Sequence, residues 1–175
     1  MPRGTGKGHL CFGCVTDYQT YPVLRAQKPC IKVYSYEKDK DPLLTLLYRF
    51  AIDDLPTAME VYLDKLLVGV GRKLIMYDIF GSKLLLRAVR PNLSSYLNNI
   101  AVEGEKIITS EVFNSFIVYR LNMPDKSFDY IGEDILPRFL SASHILDGNY
   151  GVIAGGDKFG SFFVSKFSES KYIDM

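Results

Sequence analysis

Leu66-Leu67-Val68-Gly69-Val70-Gly71-Arg72-Lys73-Leu74-Ile75-Met76-Tyr77 reads as two short apolar strands joined by a tight Gly-Arg turn. The same arrangement returns as Ile107-Ile108-Thr109, Phe113-Asn114 and Phe116-Ile117-Val118-Tyr119. It returns again as Val152-Ile153-Ala154, Lys158-Phe159-Gly160 and Phe162-Phe163-Val164-Ser165. The offsets are 41 to 42 residues for the first step and 45 to 46 for the second. Ile31 to Tyr34 matches the second strand one unit earlier, 43 residues before Leu74 to Tyr77. A turn precedes each first strand: Asp64-Lys65, Gly104-Glu105 and Gly148-Asn149. Internal repetition of this length identifies a stack of similar small sheets.

The repeat settles an ambiguity. Met59, Tyr62, Leu63, Leu66 and Leu67 fit a 3.6-residue face, so Ala58 to Leu67 has a claim to be helical. In register, however, Ala58 to Leu63 is equivalent to Ile100–Val102 and Ser143–Leu146, so it is expected to be a strand. Asn92 to Ile100 makes a weaker helical claim. The remaining apolar runs are short, rich in Val, Ile, Phe and Tyr, and punctuated by Gly, Asn, Asp or Pro. The sequence therefore predicts an all-β chain, a partial β-propeller of about four blades of short antiparallel strands. The blade-like units fall at about 9–52, 55–90, 97–135 and 138–167, the first without its opening strand and the last without its closing one. Residues 1–8 are expected to be a flexible N-terminus, 168–175 a tail, and Thr16 to Pro29 a loop-like stretch. The physical logic is that one blade cannot cover both of its faces, so blades must be stacked.

Composition excludes several functions. Of 175 residues, 47% are apolar and 23% charged, enough to bury a core. The net charge is +1, so no global basic field recruits nucleic acid or an anionic membrane. No apolar run approaches the roughly 18 residues of a membrane helix, and no apolar segment follows the charged start as a secretory signal requires. Charge is uneven: residues 1–40 hold seven Lys/Arg and three Asp/Glu, residues 41–175 hold 14 and 17. The basic first 40 residues offer charge for weak or indirect RNA contact, without sequence specificity.

No set of residues assembles a reaction centre. Arg3-Gly4-Thr5-Gly6-Lys7-Gly8 lacks the spacing of a phosphate-binding loop and has Gly8 where Ser or Thr would stand. It supports only a remote reading as a nucleotide-binding enzyme. His9, Cys11, Cys14 and Cys30 could supply a Cys₃His zinc set on paper. Cys11 and Cys14, three apart in an expected strand, would point to opposite faces, so buried thiols are preferred. The odd number of cysteines favours a reducing compartment over a disulfide scaffold. His144 has no nucleophile motif beside it. Asp53-Asp54 and Glu133-Asp134 lie between units, where carboxylates cap turns. Catalytic, metal and cofactor residues are therefore expected to be absent, as are a small-molecule substrate and a membrane.

Three segments carry a family resemblance. Leu66 to Asp78 with Lys83 to Arg87, Lys106 to Val112 with Ser115 to Arg120, and Pro137-Arg138-Phe139 leading to Ala154 to Gly160 closely resemble the family of the large β-propeller subunit of splicing factor 3b. The resemblance runs from about Cys11 to Phe167. The same superfamily includes the damaged-DNA-binding adaptor of ubiquitin ligases and the large subunit of the cleavage and polyadenylation factor. What the resemblance implies is a nuclear, non-enzymatic scaffold that grips protein subunits of a splicing complex. An adaptor fragment of a ubiquitin ligase or polyadenylation complex is the alternative. Family members are several times longer, with three propellers, and the matched portion corresponds to part of the last. Uncovered faces and edges of a partial ring lead to the expectation of oligomerisation, a partner, or a longer protein. Arg138-Phe139 and Asp157-Lys158-Phe159 are the candidate partner contacts, as charged–aromatic pairs on loops suit interface anchors. The competing reading of these five residues is a set of turn formers around a core Phe.

Overall fold

The computed structural model describes residues 7–21, 25–38, 41–80, 83–134, 136–147 and 151–166. Residues 1–6 and 167–175 lie outside them, and so do most of the glycine-rich start, the tail and the Gly148-Asn149 turn. Among the described residues there is no helix. The first sheet holds β1 (Lys7–Gln19), β2 (Arg25–Glu37) and β3 (Leu44–Ala51). The second holds β4 (Pro56–Tyr62), β5 (Lys65–Val70), β6 (Lys73–Phe80) and β7 (Lys83–Arg90). The third holds β8 (Leu97–Glu103), β9 (Lys106–Glu111), β10 (Phe116–Asn122) and β11 (Ser127–Glu133). The fourth holds β12 (Leu140–Asp147), β13 (Val152–Asp157) and β14 (Phe162–Lys166). Within each sheet strands follow chain order, the meander expected of propeller blades.

The chain divides into two compact units. One contains the first sheet together with the described residues of Ile79–Leu85; the other contains Thr57–Asp78 and the described residues from Leu86 to Lys166. In the first unit β1 and β2 pair antiparallel as far as Gln19 and Arg25, which corrects the expected loop over Thr16 to Pro29 at both of its ends; residues 22–24 lie outside the described residues. The register shifts between Cys14 and Thr16, where Cys30 and Gln27 are the partners, so Pro29 sits in a bulge that asks for no N–H from it, while its carbonyl accepts the Ile52 N–H at 3.1 Å. Lys7 and Gly8 are the first residues of β1. Cys14 lies opposite Cys30 in the ladder, and all three cysteines are unpaired. Among the described residues no cluster of three or more metal-ligating side chains forms.

In the second unit the helical claim on Ala58 to Leu67 gives way to a hairpin. Leu63 and Asp64 both have positive φ (51° and 57°), as a two-residue turn between twisted strands requires. The turn falls one residue before the expected Asp64-Lys65. Asn92 to Ile100 is likewise not helical: its first residues form a connection, and β8 begins at Leu97.

Packing follows the period of two residues along each strand. On β9, Ile107 joins Leu67, Leu74, Met76 and Phe128 in one cluster between the second and third sheets. Its neighbour Ile108 joins Leu140, Ile145 and Ile153 in another, between the third and fourth sheets. On β10, Ile117 and Tyr119 face the first cluster, Phe116 and Val118 the second. The third sheet is therefore apolar on both faces, which is why β9 and β10 read as continuous apolar runs. Each such side chain stabilises the fold by roughly 1.5–3 kcal/mol when fully buried.

The connections between sheets are bonded to the hairpin turns on either side. In residues 91–96, the Leu93 N–H donates to the Arg72 carbonyl (2.9 Å) and Arg72 Nε donates back to the Leu93 carbonyl (2.7 Å). The same segment accepts the Val112 N–H at the Tyr96 carbonyl (3.0 Å). Buried Glu111 takes the Ser95 N–H at 3.0 Å and the hydroxyls of Ser94 and Ser95 on the same oxygen, Oε2. Residues 134–139 repeat the pattern: the Asp134 N–H donates to the Phe116 carbonyl (3.1 Å), and the Lys158 N–H to the Phe139 carbonyl (3.0 Å).

A glycine marks how closely the fourth sheet is packed. A Cβ on Gly155 would lie 2.5 Å from Phe163 Cζ. That ring stacks on Phe116 with centroids 6.1 Å apart and carries the Arg138 guanidinium 4.0 Å from its centroid, so it has little freedom to yield. We expect Gly155→Ala to cost about 1–3 kcal/mol in urea unfolding; a variant as stable as the parent would refute the packing described.

Candidate interaction surface

Three turns and connections of the second unit bring aromatic rings to one patch. Phe113 lies in the β9–β10 turn, Phe139 just before β12, and Phe159 in the β13–β14 turn. The last turn is shaped by Asp157. Its Oδ1 accepts the N–H groups of Phe159 and Ser161, both at 2.9 Å, and its own N–H donates to the Ser161 carbonyl at 3.0 Å. This is the side-chain mimicry of a backbone turn that makes Asp a turn former. Gly160 completes it with φ of 89°, a conformation L side chains rarely adopt. The Ser161 N–H chiefly, with that of Phe159 and the charge of Arg138, holds the Asp157 carboxyl below its usual range against a smaller desolvation effect. Phe159 is thereby presented outward, 71% exposed.

Phe139 is the centre of the patch. Phe159 meets it edge-to-face at 5.5 Å between centroids and Phe113 does so at 5.9 Å. Both are favoured arrangements for aromatic pairs. The Lys158 ammonium sits 4.2 Å from the Phe139 centroid and 5.4 Å from that of Phe159. Such contacts contribute about 0.5–1 kcal/mol at exposed sites.

Arg138 occupies a different position. Its Nε donates to Asp134 Oδ2 at 3.0 Å, with side chains only 24% and 11% exposed. Asp134 also accepts the Ser115 hydroxyl on Oδ2 (2.7 Å) and the Leu136 N–H on Oδ1 (3.1 Å). Arg138 and Asp134 thus tie the third sheet's turn to the connection entering the fourth. Of the five residues singled out from sequence, Phe139, Lys158 and Phe159 form one cluster in which Lys158 and Phe159 are exposed and Phe139 half-buried, whereas Arg138 and Asp157 build its frame. The sequence marks Phe113 only as a turn residue. The signal that could have found it is the repeat itself, for Phe113 and Phe159 are 46 residues apart, the repeat offset. His144 is exposed on β12. Asp54 caps a turn by accepting the Leu55 N–H at 2.7 Å.

The chain matches known proteins along nearly its whole length. The family described as the CPSF A subunit region matches residues 2–174. A probable splicing factor 3B subunit 3 of Dictyostelium discoideum is 30% identical over 161 residues, 91% of this chain and 12% of that protein. Splicing factor 3B subunit 3 of Drosophila melanogaster is 28% identical over 170 residues, 97% of this chain and 14% of that protein. Spliceosome-associated protein 130 A of Arabidopsis thaliana is 26% identical over 154 residues, 88% of this chain and 12% of that protein. The chain thus spans only 12 to 14% of the length of these relatives.

Asp134 gives the frame a pH dependence. Burial alone would raise its pKa, but hydrogen bonds from Ser115, Leu136 and Arg138, with the Arg138 charge, outweigh it and hold the carboxyl below its usual range. The folded state therefore keeps this carboxylate charged at a pH where the unfolded chain has taken up a proton. Its contribution is present above about pH 4 and fades as pH falls through the lower folded value. We expect Asp134→Asn to cost about 1–3 kcal/mol at neutral pH. The gap to the parent should close on acidification toward pH ~2, measured by denaturant unfolding across the acid range. A gap independent of pH would refute the charged clamp.

Proposed function

The chain belongs to the CPSF A subunit region family, and on that premise we propose that it is a non-enzymatic interaction scaffold of pre-mRNA splicing, acting in the nucleus. The observation that carries the reading is the Phe113–Phe139–Phe159 cluster around Lys158, with Phe113 and Phe159 exposed over a half-buried Phe139 and raised on turns that the sheet framework holds in place. Aromatic anchors in a rigid setting are what protein interfaces use, because little conformational freedom is lost when a partner covers them. Relatives named as splicing factor 3B subunit 3 support the assignment to splicing. The partners we propose are protein subunits of a splicing complex. The buried polar groups of the second unit support a structural rather than chemical role. Glu111 is enclosed at a sheet junction and Asp134 is saturated by its neighbours.

The superfamily resemblance read from the sequence supports a second reading, an adaptor in a polyadenylation complex. Copurification separates the two. Tagged full chain recovered from nuclear extract is expected to bring down splicing-complex subunits. Recovery of polyadenylation subunits instead would favour the second reading, and recovery of neither would sink both.

A further inference from the structure

Covering the aromatic cluster carries an electrostatic requirement. Among the described residues Lys158 makes no ion pair; its ammonium lies against the rings of Phe139 and Phe159. A partner that seals those rings from water also removes water from the ammonium, and a buried cation without a counter-charge is strongly destabilising. The rings nevertheless invite coverage, since Phe159 is 71% and Phe113 57% exposed, and both are locked edge-to-face on Phe139. The other local charges are already engaged: Arg138 with Asp134, and Asp157 with the turn N–H groups. The incoming group must therefore bring an apolar side chain and one carboxylate close to it.

We infer that Phe113, Phe139, Phe159 and Lys158 form a docking platform for an extended protein segment that presents an apolar side chain beside an Asp or Glu. The inference rests on the interaction-scaffold reading above and names the class of partner segment its surface takes. Charge argues against single-stranded RNA as the occupant. Residues 91–166 carry six Lys/Arg and nine Asp/Glu, whereas tracking a phosphate backbone needs a row of cations. A single unpaired lysine fits a single carboxylate. Docking of this kind depends on the aromatic anchors for area and on the charge pair for selection among partners.

The test is selection of random short peptides on the immobilised full chain, with Lys158→Glu and Phe159→Ser variants as counter-targets and oligo(U) RNA assayed in parallel. Both residues are exposed, so the variants should melt with the parent. Recovered peptides are expected to carry Leu, Ile or an aromatic residue next to an acid. A synthetic peptide of that consensus should lose roughly tenfold or more in affinity with either variant. Peptides without an acid, affinity indifferent to both variants, or oligo(U) binding that Phe159→Ser abolishes would each overturn the assignment. Copurification with the doubly substituted chain separates this failure from failure of the scaffold reading. If it recovers the same splicing subunits as the parent, the platform is not the contact and the scaffold reading stands; loss of one or more subunits is the expected result.

Discussion

A sheet with two apolar faces cannot stand alone in water, and the third sheet is such a sheet. Neighbouring residues on β9 and β10 point to opposite sides, yet Ile107, Ile117 and Tyr119 on one side are as fully enclosed as Ile108, Phe116 and Val118 on the other. Exposing either side would return several large side chains to water, at roughly 1.5–3 kcal/mol each. That penalty sets the architecture of the second unit. The second and fourth sheets must lie on the third, and the chain between them must be short enough to hold the stack.

Apolar burial is non-directional, so it does not by itself decide how one sheet lies on the next. The directional part comes from the connections. Residues 91–96 are hydrogen-bonded backward to Arg72 and forward to Glu111 and Val112. Residues 134–139 are bonded backward to Ser115 and Phe116 and forward to Lys158. Each connection thus fixes two hairpin turns at once, and the turns carry the exposed rings. Glu111 carries a cost of this arrangement: its side chain is enclosed completely, one oxygen accepting from Ser94 and Ser95 while the other, Oε1, has no protein partner. Its charge is felt at Tyr119, whose pKa is pushed up to about 12 by burial first and by Glu111 second, with Arg90 opposing.

Much of this was legible in the sequence because a repeat reports on long-range packing through local pattern. One copy of Ala58 to Leu67 supports a helix as well as a strand; three aligned copies do not, since the turn at 63–64 must match turns elsewhere. The stretch Thr16 to Pro29 has no aligned copy, and its prolines suggested a loop. The structure accommodates Pro29 in a bulge, something only the pairing partner can reveal. For the surface, charged–aromatic pairs on turns pointed to Phe139, Lys158 and Phe159. Which of the five residues would be frame and which surface depended on neighbours distant in sequence. Arg138 is claimed by Asp134, which is itself oriented by Ser115. Phe113 enters the cluster only because its turn and that of Phe159 end on the same patch.

The division of labour between Arg138 and Lys158 has a chemical basis. Both place a cation over a phenyl ring, at 4.0 and 4.2 Å from the centroid. A guanidinium is planar and weakly hydrated, so it can lie flat on Phe163 while donating in its own plane to Asp134, and it tolerates being three-quarters enclosed. An ammonium is compact and strongly hydrated, and it keeps its remaining donors directed at solvent. Exchanging the two would place a desolvated ammonium in the frame and a fork-shaped donor on the surface, weakening the first. The arginine consequently belongs to the frame, and the lysine stays on the exposed side of the cluster.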